Sequence, residues 1–271
     1  MKVKGNVVLV TGAGSGIGRE IVLNLLSKGA KVIAVDINWE ALQETLRLSR
    51  APESSLSLFE VDITNSVAVD ELVGRAIAEK GTVDAIINNA GIIQPFVDLK
   101  DLDYSTIKRV IDVNLHGTLY VTKAFLPHLL SIPEGHIVNI SSMGGFLPVP
   151  GQTVYGATKA AVKLLTEGLH SELKHTNVRV TVVFPGAVAT NITANSGVTM
   201  NVVQKGGKEP AQSKILTPAK AAEIIIRGME SDDYQVYVGS DSRFLGIFNR
   251  ISPKTAASFI ARQMKKYGIT S

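Results

Sequence analysis

The chain is expected to adopt an α/β fold: a doubly wound, mainly seven-stranded parallel sheet with helices on both faces. Three observations predict this. Short apolar runs rich in Val and Ile alternate with stretches of helical period from residue 6 to residue 238. A Gly-rich turn joins the first run to the first helix. Each run also ends in small or polar residues, as strands do where a parallel sheet receives a ligand. The 271 residues suit one domain, 1–271, with a large core better than two small ones.

Asn6 to Val10 reads as a buried strand leading into Thr11-Gly-Ala-Gly-Ser-Gly-Ile-Gly18. Ile17, Ile21 and Leu25, with Val22 and Leu26, then follow at helical spacing, and Gly29 is a plausible stop. Glycines here permit a tight turn and let backbone approach a pyrophosphate at the helix N-terminus. The spacing is T-G-x-x-x-G-x-G rather than G-x-G-x-x-G.

Lys31 to Val35 is the second strand and ends at Asp36. An acid there can accept from the adenosine ribose hydroxyls and repel a 2′-phosphate, and neither Ser15 nor Ile37 offers a compensating cation, which favours NAD over NADP. Alternatively, Asp36 caps the helix that begins near Trp39. Leu56 to Val61 is the third strand, ending in Asp62-Ile63; Val67 to Lys80 is an amphipathic helix with Val67, Leu72, Val73 and Ile77 inward. Val83 to Ile87 is the fourth strand and leads into Asn88-Asn89-Ala90-Gly91.

Asp103 to Leu130 is a long helical region, kinked or interrupted, with Asn114 inside an apolar pattern. A buried Asn must satisfy its amide, so Asn114 either locks two elements together or holds a water. His136 to Ile140 and Val178 to Phe184 are the fifth and sixth strands, ending at Ser141-Ser142 and at Pro185-Gly186-Ala-Val188-Ala-Thr190. Residues 191–216 read as a polar, Gly-containing flap over the site. Pro218 to Met229 is a helix and Val236 to Val238 the last strand.

Composition excludes several chemistries. There is no cysteine, so disulfides, thiol nucleophiles and Cys-ligated zinc are absent. The five histidines lack metal-ligand spacing, and no metal is expected. The opening MKVKGNVVLV has no apolar core before a cleavage site, and no run approaches the ~20 apolar residues of a membrane span, so a cytoplasmic protein is expected. The net charge is +4, but residues 241–271 hold six basic side chains against Asp241 alone and carry +5. The preceding 240 residues sum to −1, so a uniformly basic nucleic-acid-binding surface is not expected.

The chemistry centres on Tyr155-Gly-Ala-Thr-Lys159. Residues four apart share one helix face, and an ammonium beside a phenol favours phenolate, which can exchange a proton with an alcohol or carbonyl oxygen. With T-G-x-x-x-G-x-G, N-N-A-G at Asn88 to Gly91, Ser142 thirteen residues before Tyr155, and P-G-x-V-x-T at Pro185 to Thr190, the chain resembles the short-chain dehydrogenase/reductase family, of the compact Rossmann-like type, over residues 3–240.

The resemblance implies a catalytic tetrad of Asn114, Ser142, Tyr155 and Lys159. Tyr155 would exchange the proton. Lys159, with the oxidised nicotinamide, would stabilise the phenolate. Ser142 would hydrogen-bond the substrate oxygen, and Asn114 would keep a water in a proton relay. NAD would be held by Gly12, Ser15, Gly16, Ile17 and Gly18 in the turn, by Asp36 at the ribose, and by Asp62 and Ile63 at the adenine. Asn89, Ala90 and Gly91 would lie on the adenosine side; Tyr155, Lys159, Pro185 and Gly186 would also contact the cofactor, with Val188 backbone and the Thr190 hydroxyl at the carboxamide. The resemblance implies the family's common tetramer, built through the helices carrying Asn114 and Tyr155, so a homotetramer or homodimer is expected.

Phe146, Leu147, Pro148, Val149, Val154, Val188 and Ile192 predict an apolar pocket wall, and hence an apolar or uncharged secondary alcohol or ketone as substrate. A dinucleotide sensor without catalysis, and an epimerase or dehydratase that retains NAD, are the other classes compatible with the motifs. In the tail, Phe244, Phe248 and Ile251, then Phe259, Ile260 and Met264, alternate with the basic residues. Such a face packs on the domain or a neighbouring subunit, or lies on an anionic membrane surface.

Overall fold

The computed structural model describes residues 1–190, 192–198 and 215–266, and all structural statements below concern these. Seven strands, β1 (Val7–Thr11), β2 (Lys31–Asp36), β3 (Leu56–Glu60), β4 (Ala85–Asn88), β5 (Gly135–Ile140), β6 (Val178–Pro185) and β7 (Gln235–Val238), form one sheet in the order β3-β2-β1-β4-β5-β6-β7. Every pairing is parallel. The order reverses between β1 and β4, so their C-terminal ends flank the crevice where doubly wound sheets hold ligands.

Alternation within each strand builds two cores. Val8 and Val10 of β1, Val32 and Ala34 of β2, Ala85 and Ile87 of β4, and Val138 and Ile140 of β5 face helices α1 (Gly16–Ser27) and α8 (Pro218–Glu230). The intervening residues, Leu9, Ile33, Val35, Ile86 and Ile137, face α3 (Ser66–Lys80), α5 (Thr118–Ser131) and α6 (Thr153–Glu172). Both faces are covered, which is why the strands read as continuous Val/Ile runs rather than alternating polar and apolar. Full burial of one such side chain contributes about 1.5–3 kcal/mol.

Helix ends follow the local chemistry. Asn38 caps α2 (Trp39–Ser49) through Ala41 N, Asn65 caps α3 through Val67 N and Ala68 N, and Thr217 caps α8 ahead of Pro218. One inward assignment is corrected: Val67 is 64% exposed, because it sits in the first turn of α3, whose buried line is Val69, Leu72 and Ala76. The region after Asp103 is interrupted as the sequence suggested. It forms α4 (Tyr104–Ile111), a π-helical turn (Asp112–Gly117) and α5. The Thr118 hydroxyl covers the Asn114 carbonyl at 3.0 Å within that bulge.

Of the flap, α7 (Ile192–Asn195) and a Val188–Leu216 bridge are described; residues 191 and 199–214 of that stretch lie outside the described residues. The tail folds into α9 (Ser240–Ile251) and α10 (Pro253–Lys266). Leu245 and Ala256 bury themselves against Leu147, with Met143, Phe146, Phe248 and Ile260 around them. Residues 267–271 also lie outside the described residues. Among the described residues no helix is long and apolar enough to cross a membrane.

Candidate active site

One cleft of about 940 Å³ opens at the C-terminal edge of the sheet. Gly12, Ser15, Gly16 and Ile17 form one side of it. Gly12 and Gly16 have φ of +66° and +54°, a conformation that favours glycine, and a Cβ on Gly12 would meet Ala90 Cα at 2.8 Å. Gly18 lies beneath the cleft rather than in its wall: a Cβ there would sit 2.0 Å from the Gly12 carbonyl oxygen. Ser15 occupies the N-cap of α1, but its hydroxyl makes no capping bond and instead accepts from Asn195 Nδ2 of α7 at 2.7 Å. The helix therefore starts at the cleft with its first N–H groups uncapped by a side chain.

Asp36 also lines the cleft. Its Oδ2 accepts from Gly14 N at 2.8 Å and its Oδ1 from Asn38 N at 3.0 Å, while the capping of α2 falls to Asn38. Arg19, which sequence reasoning did not single out, braces the same turn through the Gly14 and Ala41 carbonyls and the Thr45 hydroxyl. Asp62 and Ile63 border the cleft after β3. Asp62 Oδ1 accepts from Thr64 N at 2.9 Å, and Ile63 lies over Gly117, where a Cβ would fall 2.5 Å from Ile63 Cδ1. Asn89, Ala90 and Gly91 complete this side; Asn89 and Ala90 donate their backbone N–H to Thr11 Oγ1, both at 3.1 Å, and Asn89 Nδ2 donates to the Thr11 and Gly12 carbonyls.

Ser142, Tyr155 and Lys159 line the cleft together, and Asn114 lies buried behind it. Lys159 is 4% exposed and donates from Nζ to the Ile140 carbonyl at 2.9 Å. Desolvation pushes its ammonium down to about 8. Burial raises the Tyr155 phenol, and the Ser142 hydroxyl beside it acts in the opposite direction. Ser142 Oγ accepts from Gly144 N at 3.0 Å, which leaves its own proton available. Asn114 locks two elements: Oδ1 accepts from Ile92 N at 2.8 Å, and Nδ2 donates to the Ile92 carbonyl at 2.9 Å and to Thr158 Oγ1 of α6 at 3.1 Å. Lys159 Nζ and Asn114 Oδ1 approach each other over Gly91, lying 3.1 and 3.3 Å from the point its Cβ would occupy.

Pro185, Gly186, Val188 and Thr190 close the far wall. Asp241 of α9 supports this turn by accepting from Ala187 N at 2.8 Å. The apolar wall differs from the expected one. Val188 and Ile192 belong to it, joined by Ile92, Ile93 and Phe96 from the loop after β4. Phe146 and Leu147 instead turn away under α9 and α10, Val154 packs with Leu102 and Val110, and Pro148 is exposed.

Gln94 is the buried residue that sequence reasoning missed. It is 0% exposed; Oε1 accepts from Val154 N at 2.8 Å and Tyr155 N at 3.0 Å, and Nε2 donates to the Gly151 carbonyl at 3.0 Å. It thus caps α6 from a loop sixty residues away in sequence. Among the histidines, His136 is buried against Thr181 with its pKa pushed down to about 3, and so stays neutral. His116 bonds Asp112 one turn away, His128 accepts the backbone N–H of Val83 at 3.1 Å from 45 residues off in sequence, and His170 lies tilted against Tyr234 at 4.4 Å between ring centroids.

The short chain dehydrogenase family model matches residues 6–201. SadH of Mycobacterium tuberculosis, named as an oxidoreductase, is 35% identical over 269 residues, spanning 97% of each chain. Among solved structures, a short-chain dehydrogenase/reductase from Burkholderia phymatum in complex with NAD superposes with a TM-score of 0.79 at 26% identity, covering 88% of this chain and 90% of the other. A short-chain dehydrogenase from Burkholderia cenocepacia in complex with NADP gives 0.78 at 28%, covering 96% and 99%. The seven-stranded parallel sheet, the matched residues and the full-length relative together establish that the chain belongs to the short-chain dehydrogenase/reductase family of oxidoreductases.

Proposed function

We propose that this protein transfers a hydride between NAD(H) and an apolar or uncharged secondary alcohol or ketone. The observation that carries this reading is the meeting of Ser142, Tyr155 and a fully desolvated Lys159 in the same cleft as the Gly-rich turn. The turn fits a dinucleotide: Gly12 and Gly16 hold the positive φ of a tight turn, Gly12 packs against Ala90 where a Cβ would clash, and α1 begins there without a side-chain cap. When bound, the nicotinamide supplies the two-electron acceptor or donor.

The chain's own groups handle the proton. During alcohol oxidation, Tyr155 takes the hydroxyl proton as the C–H electron pair leaves carbon; in reduction it returns that proton to the oxygen. Burial alone keeps the phenol protonated, so its ionisation depends on positive charge nearby, which Lys159 supplies one turn along α6. The free proton of Ser142 points the substrate oxygen toward Tyr155. Asn114 Oδ1 keeps a second lone pair for a water shared with Lys159 over Gly91.

NAD preference rests on Asp36, whose carboxylate is fixed by Gly14 N at the cleft rim, beside the neutral and 64% exposed Ile37. Substrate class rests on Ile92, Ile93, Phe96, Val188 and Ile192. The assembly we infer is a homo-oligomer through α5 and α6, supported by the exposed Leu130 and Leu164 on those helices. Turnover of a panel of secondary alcohols, steroids, polyols and hydroxy acids, followed by NADH formation from NAD and by NADPH formation from NADP, tests both substrate class and cofactor. Turnover confined to charged substrates, or to NADP, would refute those assignments.

A further inference from the structure

The C-terminal helices do more than cover the domain. Leu245, Phe248, Ala256 and Ile260 turn inward onto Met143, Phe146 and Leu147, the segment that follows Ser142. A second apolar set turns outward: Phe244 is 60%, Ile247 54% and Ile251 78% exposed. At about 100° per residue these three fall within an arc of roughly 60° on α9, and Arg243 and Arg250 border it on one side. A tilted contact from Phe244 to Phe248 (5.9 Å between centroids) and an edge contact from Phe248 to Phe259 (6.2 Å) connect this apolar set to α10, where Lys254, Arg262 and Lys265 are exposed.

Isolated exposed apolar side chains are ordinary, but a continuous stripe bordered by cations indicates an occupant. Among the described residues none of Arg243, Arg250, Lys254, Arg262 and Lys265 forms an ion pair. Asp241, the one acid of residues 241–271, is turned inward to Ala187 N. A second copy seated on this face would bring two +5 surfaces together, which like-charge repulsion opposes. An anionic lipid surface offers both complements at once: negative headgroups for the arginines and lysines, and an acyl boundary for Phe244, Ile247 and Ile251.

We propose that the outer face of α9 and α10 docks on an anionic bilayer surface, lying in the interface without crossing it. The docked face is then the outer side of the same helices whose inner residues pack on Met143 and Phe146, next to the cleft; resting on the proposed apolar substrate, this placement suits a compound that partitions into lipid.

The test is co-sedimentation of the full chain with vesicles of phosphatidylcholine alone and of equal parts phosphatidylcholine and phosphatidylglycerol. Binding to the mixed vesicles is expected to exceed binding to phosphatidylcholine by about tenfold and to weaken with salt. The exposed-site variant Phe244→Ser/Ile247→Ser/Ile251→Ser, with an unchanged circular dichroism spectrum, is expected to lose about tenfold or more. Failure to bind the mixed vesicles overturns the proposal. Equal binding by the triple variant, matched by binding to polyglutamate, assigns the face to an acidic polypeptide instead. Self-association by sedimentation equilibrium that the triple variant abolishes, without vesicle binding, assigns it to a second copy.

Discussion

Gln94 Oε1 accepts the backbone N–H of Tyr155 at 3.0 Å, so the helix carrying the proposed acid–base group is capped by a residue from the loop after β4. The same loop holds Asn114 through Ile92 N and O. Two members of the proposed tetrad, Tyr155 and Asn114, are thereby referenced to one stretch of backbone.

Removal of that cap is expected to be costly. Gln94→Leu leaves two buried N–H groups without an acceptor, and a loss of about 2–4 kcal/mol in urea unfolding is predicted. Gln94→Glu keeps the acceptor for both N–H groups at a helix N-terminus but turns the donor to the Gly151 carbonyl into an oxygen and buries a charge, so it should recover only part of that loss.

Lys159 makes stability depend on pH with a definite sign. Its folded pKa of about 8 lies below the unfolded value of 10.5, so between these values the unfolded chain binds more protons and stability rises with pH. The penalty for the buried ammonium is complete below pH 8 and fades toward pH 10.5. Comparison of wild type with Lys159→Met at pH 7 and pH 9 should show the wild type gaining on the variant by on the order of 1 kcal/mol. Tyr155 acts oppositely and later: its raised pKa makes stability fall only above its ordinary value of 10.0.

Asp36→Asn keeps an acceptor for Gly14 N and removes the charge. The ratio of kcat/KM for NADP over NAD should rise by about tenfold or more, equivalent to roughly 1.4 kcal/mol. An unchanged ratio would show that the carboxylate does not set cofactor choice.

Gly18→Ala places a methyl group 2.0 Å from the Gly12 carbonyl and 2.5 Å from Asn89 Nδ2. Backbone must move, at about 1–3 kcal/mol, and with it the turn proposed to hold the pyrophosphate. Fluorescence titration with NADH is expected to show affinity reduced about tenfold or more, alongside the lower stability.

Much of the fold was legible because its signals are local. Both faces of the sheet are covered, so each strand is a short apolar run; Asn65, Thr217 and Gly81 mark helix ends within their own segments. The cleft residues were legible from fixed motifs: of the nineteen residues expected at the site, Gly18 and Asn114 alone stand behind the cleft wall rather than in it. What escaped depends on distant partners. Gln94 sits in a loop without periodicity, and its cap is formed sixty residues later. Phe146 and Leu147 were read as pocket wall because spacing along a loop cannot show that Leu245 and Ala256 would draw them the other way. In α9, apolar residues occupy two faces, so spacing alone did not separate the inward Phe248 from the outward Phe244.

Proton transfer by Tyr155, with NAD held mainly by other residues, is the step on which the proposed function turns. It is tested most directly by comparing wild type and Tyr155→Phe for NADH binding and for steady-state turnover of an alcohol from the panel. Dinucleotide affinity is expected to stay within about twofold of wild type and turnover to fall by about 100-fold or more. Turnover by Tyr155→Phe at the wild-type rate, with binding intact, would contradict it.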